Sequence, residues 1–304
     1  MTQERILVTG GAGLIGAPTV RHLASLGAHV TVLDRAVTDL GPGIEFLTGD
    51  VTDLDTVRRA VKGQDAVVHL AGIPGPHLVD DLTTYVVNTV GTYTVLHASA
   101  EAGVRKAVYA SSINATGLPL NDRALLPDSY PFDEDTREDF TDSYSLSKKA
   151  NEQAAAQIAR HSSMSITGLR FPLVRDILLD GGDRFAQHLR TLMDDDPRRA
   201  AAEGWTYLHT DDAARAVAAA LTHETPPAPG ILVAASRTYL REDTMTALAR
   251  WAPDVPAQPL QGRAVPVDLW RARDQLQFEA ATLLDDVAPH ALVSCVDAAL
   301  GVET

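Results

Sequence analysis

At 304 residues and 45% hydrophobic content, the chain suits one large α/β domain, or one domain with a smaller lobe, and has ample material for a packed core. A net charge of −14 and a pI near 5.0 argue against a nucleic-acid or anionic-membrane partner, since no basic stretch longer than Arg198-Arg199 interrupts the acidity. The single cysteine, Cys295, excludes an internal disulfide; no apolar leader precedes the first strand and no apolar run approaches ~18 residues, so the expected location is the cytoplasm.

The first predicted element is a buried strand, Ile6-Leu7-Val8, that breaks into Gly11-x-Gly13-x-x-Gly16 and continues as an amphipathic helix through Leu14, Ile15, Val20, Leu23 and Leu26. In a dinucleotide-binding turn the glycines serve separate physical ends, namely a tight turn, close approach of backbone to a pyrophosphate, and packing of helix on strand. The helix N-terminus adds free N–H groups and a positive dipole end. A second strand, 29–33, ends in Asp34, an acid about 20 residues past the glycines, where this fold grips the adenine ribose hydroxyls.

Strand and helix signals then alternate. Gly41-Pro42-Gly43 turns into a strand over 44–47, and Asp53 is placed to cap a helix over Leu54–Val61. DAVVHLAG, 65–72, is the near-continuous apolar run of a strand buried on both faces. There follow a long helix over 82–102, a strand over 106–112, a polar Pro-containing insertion to about Asp139, a helix over 143–160 and a strand over 165–171. This alternation predicts an α/β fold of Rossmann type, a doubly wound parallel sheet with right-handed crossovers and ligands at the carboxyl ends of its strands. Residues 1–171 are expected to form its NAD-binding domain.

Beyond Phe171 the rhythm loosens. A helix over 184–193 runs into Asp194-Asp195-Asp196-Pro197, a strand over 205–210 leads to Asp211 and Asp212, placed to cap a helix over 213–223, and a strand covers 231–235. A helix from about Glu242, an extended piece over 255–259 and a short helix over 268–276 come next. Leu292, Val293, Val296, Ala299 and Leu300 give a C-terminal helical pattern in which Cys295 reads as a small core residue. Residues 172–304 are thus expected to be mainly a small substrate-binding lobe over the carboxyl edge of the sheet, with segments around 205–236 returning to that sheet.

Tyr144-Ser145-Leu146-Ser147-Lys148 puts a tyrosine and a lysine at i and i+4 on one helix face. A neighbouring ammonium favours phenolate, so the pair can hold an acid or base that takes a proton from an alcohol, or gives one to a carbonyl, as hydride moves to or from nicotinamide. Ser112, at its strand end, is placed to hydrogen-bond the same oxygen. Alone, such a pair reads equally well as a helix-surface contact; the dinucleotide turn tips the reading to catalysis.

Together Thr9-Gly10-Gly11-Ala12-Gly13-Leu14-Ile15-Gly16, Asp34, Gly49-Asp50-Val51, His69-Leu70-Ala71-Gly72, Val87-Asn88, Ser111-Ser112, YSLSK, Tyr207–Asp212 and the segment from Asp268 to Phe278 resemble the extended short-chain dehydrogenase/reductases, the NAD-dependent epimerase/dehydratase group. The resemblance implies Ser112, Tyr144 and Lys148 as catalytic triad, with Lys148 also on the nicotinamide ribose. It further implies Asp34 on the adenosine ribose, Asp50 and Val51 at the adenine, Leu70, Ala71 and Gly72 lining the cleft, and Gly10, Gly13, Leu14, Ile15 and Gly16 around the pyrophosphate. Asn88 is implied near the site, with an internal hydrogen-bonding role as the alternative. In that family the helices over 82–102 and 143–160 pair with their symmetry mates, so a homodimer is expected.

Departures from the family pattern narrow the reaction. Ile113 and Asn114 stand where sugar-nucleotide dehydratases carry an Asp-Glu pair, which removes the machinery for water loss. Leu173 and Trp205 stand where epimerases usually carry Asn and Arg, and an indole offers a nucleotide pyrophosphate no charge. Arg175, Arg184, Arg190, Arg237, Arg241 and Arg263 are candidate replacements. Ser111, Ile113, Asn114, Leu173 and Trp205 are candidate substrate contacts, with lobe core the alternative for Trp205. Asp34 favours NAD over NADP, while Arg35 beside it could stack on adenine or bind a 2′-phosphate. The expected activity interconverts a secondary alcohol or lactol and a carbonyl on a sugar-like small molecule; the alternatives are a UDP-sugar 4-epimerase and a non-catalytic NAD sensor.

Overall fold

The computed structural model describes residues 4–225 and 230–295. Its centre is a seven-stranded, wholly parallel sheet of β1 (Arg5–Thr9), β2 (His29–Asp34), β3 (Glu45–Thr48), β4 (Ala66–His69), β5 (Lys106–Ser112), β6 (Ser165–Phe171) and β9 (Ile231–Leu232), in the order β3-β2-β1-β4-β5-β6-β9. Helices α1 (Gly16–Ser25), α2 (Leu54–Val61), α3 (Asp81–Glu101), α4 (Ser143–His161) and α7 (Thr210–Thr222) cover it. Alternation along β1 divides the core: Ile6 and Val8 join one apolar cluster with Val20, Leu23 and Val217, and Leu7 joins another with Val57, Val95 and Ile158. The strand order reverses between β1 and β4, and this switch point places the glycine turn after β1 at the mouth of a crevice.

The regular half follows the sequence closely. α2, β5 and β6 fall on the expected residues, and Asp53 caps α2 by accepting from Asp55 N at 3.2 Å. The apolar run over 65–72 is strand only to His69; the chain leaves the sheet at Leu70 to form the crevice wall.

The second half departs in several places. β8 (Tyr207–His209) pairs in parallel with β7 (Leu173–Arg175) in a separate two-stranded sheet, an element that Pro172 hid. Asp211 and Asp212 do not cap α7: the helix begins at Thr210 with His209 as its cap residue. The buried Asp212 carboxylate instead accepts from Ala281 N at 3.0 Å and Thr282 N at 2.8 Å, tying the late segment to the core. α5 (Asp183–Asp195), α6 (Pro197–Ala202), α8 (Thr244–Trp251), α9 (Trp270–Leu276) and the single turn α10 (Leu284–Val287) are the remaining α-helices among the described residues. α6 was not expected, although Asp196 caps it through Arg199 N and Pro197 opens it. Leu292 and Val293 are extended rather than helical, Val293 bridging Leu240, and Val296, Ala299 and Leu300 lie outside the described residues. Cys295 is buried and free, as a small core residue should be.

Candidate active site

A cleft of about 300 Å³ opens at the switch point, walled by Gly10, Ala12 and Gly13 on one side, by Asp34, Arg35, Asp50 and Val51 on another, and by Leu70, Ala71 and Gly72 opposite. Small residues are forced here. A Cβ on Gly10 would come within 2.5 Å of Ala71 N, at a φ of +72°, and one on Gly16 within 2.0 Å of Gly10 O. Asp34 accepts from Ala12 N at 3.0 Å and Ala36 N at 3.2 Å, so its carboxylate stands beside the turn. Glycine-lined backbone at a helix N-terminus, with a carboxylate at the neighbouring strand end beside it, fits a dinucleotide. Ile15 is the residue before α1 and Leu14 is half exposed beside it.

Val87, named with Asn88 in the resemblance, also lines the cleft, and two further lining residues, Ala36 and Ile73, carry no sequence signal of their own. Asn88 makes internal hydrogen bonds next to the cleft: its Oδ1 accepts from Ile73 N at 2.7 Å, while its Nδ2 donates to Ile73 O and to Ser147 Oγ. It thereby fixes the wall after Gly72 to α4.

Ser112, Tyr144 and Lys148 meet at the carboxyl end of β5, all buried. Ser112 Oγ accepts from Asn114 N at 3.1 Å and Asn114 Nδ2 at 3.3 Å. Lys148 Nζ donates to Ala110 O at 3.0 Å and lies 5.6 Å from the centroid of the Tyr144 ring. Burial pushes the Tyr144 phenol up to about 12; the Ser112 hydrogen bond opposes this, and the Asp142 and Glu203 carboxylates add to it more than Arg199 relieves it. The net shift of this phenol is therefore upward rather than the expected depression, and burial also pulls the Lys148 ammonium down to about 8.

His69, beneath the site, is held neutral by burial first and by Lys148 second, at about 3. Its ring bridges Thr9 Oγ1 at 2.7 Å and Thr92 Oγ1 at 3.1 Å. Arg199 and Glu203, joined at 3.0 Å, bring α6 into the field of Tyr144. Their i, i+4 spacing was legible, but nothing in it pointed to the tyrosine.

The candidate substrate contacts divide. Trp205 is fully buried in the lobe core at a φ of +49°, and Ile113 belongs to the same cluster. Ser111 is turned to Glu152, donating at 2.7 Å. Asn114 stays beside Ser112, its Oδ1 buried without a partner, and Leu173 is partly buried in β7. Of the six arginines, Arg184 pairs with Asp180, Arg237 and Arg263 pair with Asp285, and Arg190 and Arg241 are exposed. Arg175 is half-buried, bonded to Val174 O at 2.8 Å and, among the described residues, paired with no carboxylate. No group of His, Cys, Asp and Glu among the described residues could hold a metal ion, and no helix among them is long and apolar enough to cross a membrane.

Residues 6–176 match the model of the NAD-dependent epimerase/dehydratase family. A 3 beta-hydroxysteroid dehydrogenase/Delta 5-->4-isomerase of Mycobacterium tuberculosis is 42% identical over 116 residues, 36% of this chain and 31% of that protein. A UDP-glucose 4-epimerase of Neisseria meningitidis serogroup C is 32% identical over 173 residues, 52% of this chain and 49% of that protein. The chain thus spans a third to a half of the length of these curated relatives. Among solved structures, a short-chain dehydrogenase/reductase superfamily protein from Agrobacterium tumefaciens with bound NAD shares the fold at a TM-score of 0.72 and 24% identity, over 95% of this chain and 96% of that one. Glycine turn, carboxylate and cleft wall are the parts a nicotinamide dinucleotide requires, and the match over residues 6–176 covers every one of them. The chain belongs to the NAD-dependent epimerase/dehydratase family, with NAD as its cofactor.

Proposed function

We propose that the protein is an NAD-dependent oxidoreductase that interconverts a secondary alcohol or lactol with the corresponding carbonyl on a sugar-like small molecule. The observation that carries this reading is the convergence of Ser112, Tyr144 and Lys148 at the carboxyl end of β5, where Asn88 ties α4 to the cleft wall at Ile73. NAD, when bound, supplies the hydride acceptor. The Ser112 and Tyr144 hydroxyls hold the substrate oxygen between them. In the reductive direction the neutral Tyr144 phenol gives its proton to the carbonyl oxygen; in oxidation the phenolate takes the hydroxyl proton. Lys148, anchored on Ala110 O, holds its ammonium over the phenol ring and would bind the ribose of the cofactor. Residues 1–171 carry the cofactor, and the lobe formed mainly by 172–304 covers the substrate and excludes water.

Ile113, buried in apolar surroundings, and the amide Asn114 leave no acid–base pair for dehydration. Arg175, half-buried and paired with no carboxylate among the described residues, would take an anionic group of the substrate. A UDP-sugar 4-epimerase is the second reading, supported by the epimerase relatives. Against it stands Trp205, an indole locked in the core where epimerases carry an arginine. Incubation with NAD and a panel of free sugars, sugar acids and UDP-sugars, followed by absorbance of reduced nicotinamide and product analysis, separates the readings. Net reduced cofactor supports the dehydrogenase, product without it the epimerase, and cofactor binding with neither a non-catalytic sensor.

A further inference from the structure

Ser111, Glu152 and Arg170 form a buried cluster that the proposed reaction does not use. Arg170 is 0% and Glu152 2% exposed. Ser111 Oγ donates to Glu152 Oε1 at 2.7 Å, and Arg170 grips both carboxylate oxygens, Nε to Oε1 and Nη2 to Oε2, each at 2.8 Å. Arg170 Nη1 also donates to Glu134 O at 2.9 Å. A buried ion pair is a weak source of net stability, because desolvation offsets the attraction. Its value lies in geometry: a bidentate fork accepts one alignment of the elements that carry it.

Those elements are the catalytic ones. Glu152 stands on α4 one turn past Lys148 and two turns past Tyr144, on the same face. Ser111 directly precedes Ser112 on β5, and Arg170 lies opposite Ser111 in the β5–β6 register. We propose that Glu152 is a positioning residue, which fixes α4 against β5 and β6 through Ser111 and Arg170 and so sets how the Tyr144 hydroxyl meets that of Ser112. Gly230 closes the cluster from the β9 side, where a Cβ would come within 2.7 Å of Glu152 Oε1. The inference rests on Ser112 and Tyr144 acting as a pair, as the proposed reaction requires.

Ser111→Ala removes one hydrogen bond and Glu152→Gln removes the charge while keeping the shape. Tyrosine labelled with ¹³C at Cζ reports hydrogen bonding at each phenol without any substrate, and Tyr144→Phe assigns the resonance. Both variants are expected to move the Tyr144 resonance toward its position in Ser112→Ala. On any substrate the panel finds, kcat should fall about tenfold or more with KM nearly unchanged, since misplacement by an ångström costs up to ~10²-fold. Ser111→Ala decides the matter if Glu152→Gln fails to fold. An unmoved resonance in Ser111→Ala overturns the positioning role, even if the melting temperature drops. An unmoved resonance in Ser112→Ala overturns the pairing beneath both the role and the proposed reaction, so the two failures are distinguishable.

Discussion

At the scale of single residues, Tyr144 decides the chemistry. Tyr144→Phe keeps ring volume and packing, so NAD affinity should survive in calorimetry while turnover falls by ~10²–10⁴-fold, the usual worth of acid–base assistance. Lys148→Met should damage turnover and NAD affinity together. Because burial holds the phenol near 12 in the free protein, the oxidative rate should rise with pH as the base form grows. Asp34→Ala should shift preference from NAD toward NADP by removing the carboxylate that repels a 2′-phosphate, and equal dissociation constants for both cofactors in the unmodified protein would refute the assignment. His69 makes a pH prediction for stability. Its folded value, about 3, lies below the unfolded one, so the unfolded chain binds more protons between about pH 3 and 6.5. Stability is full above that window and falls through it by up to ~1.4 kcal/mol per pH unit. His69→Gln, which can still bond Thr9 and Thr92, should flatten this acid limb in urea titrations.

At the scale of elements, α7 shows how a capping pattern misleads. Asp-Asp before an alanine-rich run satisfies the local rule for a helix start, yet the helix begins earlier, and a side chain inside its first turn is free for longer-range work. Asp212 uses that freedom on Ala281 and Thr282, seventy residues on, a pairing no local rule contains. Asp212→Ala should therefore cost about 2–3 kcal/mol, because two backbone donors lose a charged acceptor. Asp211→Ala, at an exposed side chain, should stay within ~0.5 kcal/mol, and chemical denaturation of the two variants side by side checks the contrast.

At the scale of the whole molecule, α3 and α4 pack on each other and leave an apolar stripe outside. Leu82, Val86, Val90 and Tyr93 on α3 are between 41% and 72% exposed, and Leu146 on α4 is 43% exposed. Packing on the sheet needs only one helix face, and a second apolar face suits an isologous dimer. Light scattering at micromolar concentration should give twice the 32.5 kDa of the chain, and Val86→Glu with Val90→Glu should return it to the monomer. A monomeric mass for the unmodified protein would contradict the dimer.

The sequence by itself determined the parallel sheet, the cofactor turn and the pairing of Tyr144 with Lys148, because each rests on local spacing: short apolar runs such as Ile6-Leu7-Val8, glycines where backbone must approach backbone, and i, i+4 placement on one helix. Tertiary structure alone decided which polar side chains meet Tyr144. Ser111 and Ser112 are neighbours of the same type, yet Ser111 is held by Glu152 across the β5–α4 contact and Ser112 is left for Tyr144. Trp205 and Arg175 likewise look alike as candidate ligand contacts, and only the packing of β7, β8 and the lobe core buries the first and leaves the second unpaired by any carboxylate among the described residues. The same burial raises the phenol that the spacing of Lys148 was expected to lower, since desolvation depends on every neighbour of a group rather than on its spacing in the chain.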